Sequence, residues 1–206
     1  MKTINYTVNG IGFSVSADES IISLAQILFR AIVRIPVERI KDGYKFEMGF
    51  SVFICAATDT GFKIVVPDYL SSPFSNTAED LTVALWILLE QTEMLKGYGI
   101  EGVPTRFDDE IVVAKNALES PAISLQRYSD LGKEASGWCI EALKEKADGT
   151  YQMVQAEGYE SIYAYQLLQK RSSLLKVLVL PYEYVVVVMG DEIVEILNEN
   201  DESLME

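Results

Sequence analysis

Apolar and polar residues alternate with period two over the first sixteen positions, and this pattern predicts a hairpin. Asn9-Gly10 is the strongest short turn signal. Folding there sets Val8 against Ile11, Tyr6 against Phe13 and Ile4 against Val15, with all six apolar side chains on one face. The period then becomes helical: Ile21, Leu24, Ala25, Leu28, Ile32 and Ile35 form a stripe. Ser16-Ala17-Asp18-Glu19 has capping-box spacing before it, Pro36 ends it, and Arg30 and Arg34 lie on its more exposed side. Tyr44–Cys55 alternates again, with Phe46, Met48, Phe50, Val52 and Ile54 against Lys45, Glu47, Gly49 and Ser51, and predicts one long strand. Asp59-Thr60-Gly61 turns the chain and Phe62–Val66 returns as a paired strand, closed by Pro67-Asp68. After a loop at Ser71–Ser75, Asn76-Thr77-Ala78-Glu79 offers a second capping box. Leu81, Ala84, Leu85, Leu88, Leu89 and Leu95 follow at helical spacing, with Gly97 placed as the stop.

Gly97–Arg106 holds three glycines and Pro104 in ten residues and reads as a linker, which puts a domain boundary near residue 100. Beyond it, strands are expected at Ile111–Ala114, Ile123–Tyr128 and Trp138–Leu143, a loop at Lys144–Thr150 and a helix at Ser161–Gln169. Pro181 stops any helix entering from Leu174–Leu180. Tyr184–Val188 is an unbroken, largely β-branched run without charge, the signature of a strand buried on both faces. Gly190-Asp191 turns it into a return strand, Glu192–Leu197, in which Ile193, Glu195 and Leu197 face away from Glu192, Val194 and Ile196. The acidic Asn198–Glu206 reads as a frayed tail. The expected fold class is α+β, with two small domains, 1–100 (hairpin, helix, hairpin, helix) and 101–206. Each is a mainly antiparallel sheet with helices packed on it.

With 206 residues, 49% of them apolar, the chain can bury a real core. No apolar run approaches the roughly 18 residues of a membrane span, and Met1-Lys2 leads into an alternating pattern rather than a secretory apolar block. A cytoplasmic protein is expected. Cys55 and Cys139 each sit in an apolar strand and read as buried free thiols. Histidine is absent, which removes Ser-His-Asp and Cys-His catalysis, His-ligated zinc and imidazole proton transfer. A net charge of −14 repels a phosphate backbone and attracts a basic protein partner. No cofactor is expected.

Four pieces in the second half occur in a recognisable order: Val113-Ala114-Lys115, Gln126-Arg127-Tyr128, Ala135-Ser136-Gly137-Trp138 and Leu178-Val179-Leu180-Pro181. With this order and spacing, about residues 108–198 resemble an immunity-protein domain of bacterial polymorphic toxin systems. That family carries V-S-K, Y-R-E and D-S-G-W pieces followed by a leucine-rich segment and a proline. Here Ala114 replaces the serine, Glu134 lies one place before Ala135, and Asp130 lies three places after Arg127. The resemblance implies a non-enzymatic protein that neutralises a toxin by binding it. It also marks Lys115, Arg127, Ser136, Gly137, Trp138 and Pro181 as motif residues with structural roles.

Each candidate has two readings. Trp138 is a partner anchor or a core side chain, and its alternation with Ile140 favours the core. Lys115 and Arg127 bind an anion or pair with neighbouring acids. Asp108-Asp109-Glu110 looks like a metal cluster, but consecutive strand residues face opposite ways, so a solvated loop start fits better. The tyrosines at 159, 163, 165, 182 and 184 suit an interface, although their spacing sends at least half of them inward. As an immunity protein the chain would meet a basic toxin through Asp108, Asp109, Asp130, Glu134 and Glu141. Two other classes remain open: a carboxylate-based, metal-assisted hydrolase, and an adaptor for another cellular protein.

Overall fold

Asn9 and Gly10 take positive φ of 52° and 82°, the backbone a tight two-residue turn demands. They fold β1 (Lys2–Val8) onto β2 (Ile11–Ala17) in the register the alternation set, Val8 on Ile11, Tyr6 on Phe13 and Ile4 on Val15. The computed structural model describes residues 1–130, 135–147 and 149–205. The fold is α+β, and the chain divides into two units, Met1–Glu90 and Gln91–Glu206, each built on a mixed sheet.

In the first unit, α1 (Ala25–Val33) follows a 3-10 turn and buries Ala25, Leu28, Phe29 and Ile32. Ser16 does not cap it. Ser16 lies within β2, and Asp18 makes the entry instead, its backbone carbonyl accepting from Ile21 and Ile22 and its carboxylate from Ser20. Tyr44–Cys55 is not one strand. It is a hairpin of β3 (Tyr44–Met48) and β4 (Ser51–Thr58), reversed at Gly49, whose φ is +58°. β5 (Gly61–Pro67) returns antiparallel to β4 and also lies parallel to β2. The sheet order is β1-β2-β5-β4-β3, with the short β6 (Thr77–Ala78) on β5. At the parallel crossing a Cβ on Gly61 would stand 2.2 Å from the Gly12 carbonyl oxygen, so only glycine lets the two backbones meet. Phe13, Val15, Leu28, Ile32, Phe53 and Ile64 are among its buried core.

The helix α2 (Thr82–Tyr98) starts from Asp80, whose carboxylate accepts from the Thr82 backbone and hydroxyl. The Asn76 box falls on β6 instead. The helix ends one step beyond Gly97: Gly99, with φ +65°, makes the left-handed step, its N–H reaching Lys96 and that of Ile100 reaching Leu95. The following segment is tied down, with Val103 N–H donating to Val179 and the Thr105 hydroxyl to Leu178.

The second unit contains β7 (Glu110–Ala114), β8 (Ala122–Arg127), β9 (Ala135–Glu145), β10 (Tyr151–Met153), β11 (Tyr159–Tyr163), the one-turn helix α3 (Leu167–Lys170), β12 (Val185–Met189) and β13 (Glu192–Leu197). The order is β11-β7-β9-β8-β12-β13, with β10 on the end of β9 and a single parallel pair, β7 with β9. The expected helix at Ser161–Gln169 begins only at Ala164, because the residues before it pair with the edge of β7 as β11. The expected loop at Lys144–Thr150 is shortened by β9 running to Glu145, and β10 follows directly after it; Asp148 lies outside the described residues. The tail is not frayed: Leu204 N–H donates to Ile196, Asn198 N–H to Glu202, and Ser203 bridges to Leu197. Glu206 lies outside the described residues.

β12 is an interior strand, between β8 and the edge strand β13, but it is buried on one face only: Val186 and Val188 are at most 1% exposed, whereas Val185 and Val187 are half-buried. The leucine-rich segment folds as 3-10 turns with Leu174, Leu175, Val177, Leu178 and Leu180 buried, and supplies much of the inner layer. Along β13, Val188 faces Ile193 and Val187 faces Glu195, so Val194 is an unpaired extra residue. This bulge resets the side-chain phase, sending Ile196 inward and Glu195 outward, against the plain alternation.

Candidate functional site

Arg127 ends β8 with its side chain 1% exposed. Among the described residues it meets no carboxylate ion pair. Its guanidinium donates to four backbone carbonyls: Ser136 at 3.0 Å, Val103 at 2.6 Å, Leu180 at 2.5 Å and, longer, Pro104 at 3.5 Å. The cation also lies between two rings, 4.6 Å from the Tyr182 centroid and 5.6 Å from that of Trp138. Burial pulls the guanidinium below its usual pKa, while Tyr182 and then Asp109 pull it back up. A planar fork suits this site because one side chain must serve several carbonyls at fixed angles.

The other motif residues surround this knot. Trp138 is fully buried, as its alternation with Ile140 suggested, and its indole N–H donates to Leu178 at 3.2 Å. The Ser136 hydroxyl donates to the Glu110 carbonyl at 2.7 Å and receives the Trp138 N–H. Gly137 has φ +86°, and a Cβ there would lie 2.4 Å from the Tyr128 carbonyl oxygen. Pro181 follows the Leu180 carbonyl that Arg127 holds. Lys115 is exposed, and its backbone N–H donates to Gly158.

The far side of this sheet is open. Outward positions on β7, β8, β9, β11 and β12 gather Glu110, Val112, Gln126, Cys139, Glu141, Tyr159, Tyr163, Val185 and Val187. Polar side chains there hold one another. The Tyr159 hydroxyl donates to Glu141 at 2.6 Å, Ser161 to Glu110 at 2.7 Å, and Tyr128 to Gln126 at 2.7 Å. The hydrogen bond to Glu141, then its charge, pushes the Tyr159 phenol up to about 12.

The predicted acids are dispersed. Asp108 is engaged by the Arg106 guanidinium at 3.0 and 3.1 Å. Asp109 accepts from the Arg106 backbone N–H, and burial raises its pKa. Asp130 is exposed, Glu141 lies on the open sheet face, and Glu134 lies outside the described residues. Among the described residues no three His, Cys, Asp or Glu side chains converge as a metal site, and no helix is long and apolar enough to cross a membrane. Sequence adjacency grouped Glu110 with Asp108 and Asp109, and so missed that the strand carries its side chain to the sheet face beside Ser161.

Both cysteines are free, but Cys139 is half-buried on the open face rather than fully buried. Burial pushes each thiol up to about 11 from 9.0, with Glu141 adding to the push at Cys139. The unfolded chain therefore releases both thiol protons at lower pH than the folded one. Folding stability is expected to fall as pH rises from about 9 to about 11. Urea midpoints at the two ends of that window, compared with a Cys55→Ala/Cys139→Ala variant, read the effect; equal slopes in both proteins would refute it.

A leucine-lined inner layer pinned by a buried arginine lies behind a sheet whose other face carries acids. The family model described as Imm33-like domain matches residues 90–199, more than half of the chain, and the chain belongs to that family. No curated protein and no solved structure matches the chain.

Proposed function

We propose that this chain is an immunity protein of a bacterial polymorphic toxin system, which neutralises a cognate toxin by binding it directly and performs no chemistry of its own. Membership of the Imm33-like family carries this reading. The net charge of −14 supports a basic toxin domain as the partner, since opposite charge speeds encounter and disfavours nucleic acid as a ligand. In this proposal residues 101–206 form the immunity domain and 1–100 a separate N-terminal domain, both acting in the cytoplasm. Asp108, Asp109, Asp130, Glu134 and Glu141 contribute to the attraction, and Asp130 and Glu141 present their charge most directly.

Co-expression with polymorphic toxin domains tests the reading: cells carrying the chain and its cognate toxin should survive, and the two proteins should co-purify. Replacing Asp130 and Glu141 with lysine is expected to slow association about tenfold at low salt, an effect that shrinks as ionic strength rises. Stopped-flow association rates at two salt concentrations would show it. Survival without binding would remove the proposal.

A further inference from the structure

We infer that the open outer face of the second sheet is the surface that receives the toxin, and that it receives a cationic, arginine-bearing protein surface. This rests on the immunity reading and adds a place and a chemistry to it. The face spans six strands side by side, about 25 Å at the usual strand spacing, the scale of a standard interface of roughly 800 Å² per partner. Its charge is one-sided. The outward strand positions hold Glu110, Glu141 and Glu195 and, among the described residues, no lysine or arginine. A partner with paired lysines and arginines finds complementary charge at these strand positions.

The chemistry between the acids also fits arginine. Tyr159 is 56% exposed and Tyr163 38% exposed, offering rigid rings on which a guanidinium can stack. The apolar floor includes Val187, which is half-buried, while its neighbour Val186 is fully buried on the inner side. The acids are already positioned, Glu141 by the Tyr159 hydroxyl and Glu110 by that of Ser161. A partner therefore meets carboxylates whose rotamers are already set, which lowers the ordering cost of binding.

The test uses the full chain and a toxin domain against which it protects cells on co-expression. Hydroxyl-radical footprinting of the wild-type complex is expected to show at least fivefold protection of Tyr159 and Tyr163. Protection confined to Tyr6, an exposed ring of the first unit, overturns the assignment. A second measurement compares Glu110→Lys/Glu195→Lys with Glu93→Lys/Glu101→Lys, which changes net charge equally at positions outside the sheet. The first pair should weaken binding about a hundredfold and the second less than fivefold. Equal losses overturn the face and leave the immunity reading standing. Absence of any wild-type binding removes both.

Discussion

Replacing Arg127 with methionine is expected to lower the stability of the second unit by about 4 kcal/mol or more. Methionine keeps the length and apolar stem but donates nothing. The carbonyls of Ser136, Val103 and Leu180 then lose their side-chain donor inside the protein, at roughly 1–3 kcal/mol for each group left unsatisfied. The two rings that flank the cation lose it as well. Lysine should recover only part of the loss, because one ammonium cannot reach carbonyls contributed by three separate segments. Urea unfolding followed by fluorescence measures the change, and a shift below about 1 kcal/mol at constant m-value would contradict the role given to this side chain.

Trp138→Ala should cost a similar amount, about 3–5 kcal/mol, from the cavity left by a fully buried indole. It also removes one of the two side-chain donors to the Leu178 carbonyl, leaving the Thr105 hydroxyl. The two changes act on one assembly, since the Trp138 ring lies beside the Arg127 cation. Their combined effect should therefore fall short of the sum of the single effects by more than about 0.5 kcal/mol. A double-mutant cycle checks this, and simple additivity would mean that the ring and the cation are independent.

Local signals survived where turn and alternation agreed. The Asn9-Gly10 hairpin kept its register because its turn chemistry and its apolar face demand the same pairing. The Gly49 hairpin was hidden by the composition of its second strand. A two-residue turn flips the phase of the alternation, so Phe46 faces Phe53 and Tyr44 faces Cys55. Val52, Phe53, Ile54 and Cys55 are all apolar, so the flip leaves no mark in the pattern, and only the positive φ of Gly49 records the reversal. Residues 159–163 carry an apolar spacing that also suits a helix, and the unpaired edge of β7 decides for a strand. The parallel pairings of β2 with β5 and β7 with β9 join segments distant in sequence and leave no local trace.

The site was legible in part. Motif order marked Arg127, Gly137 and Trp138 as structural, and they meet in one knot. The partners of the arginine could not be read, because backbone carbonyls are the same in every residue. An acidic chain suggested ion pairing where the fold supplies amide dipoles. Likewise, the separation of Glu110 from Asp108 and Asp109 depends on where the strand begins, and that is set by its neighbours.

The unpaired Val194 gives the second sheet a tolerance for length. A version of this chain one residue shorter there could close the ladder evenly and still bury the isoleucine at 196 while presenting the glutamate at 195. A further deletion would reverse the two, driving a carboxylate beside Val188 and exposing the isoleucine. Natural relatives should therefore differ by one residue at this spot more freely than anywhere else along the final hairpin.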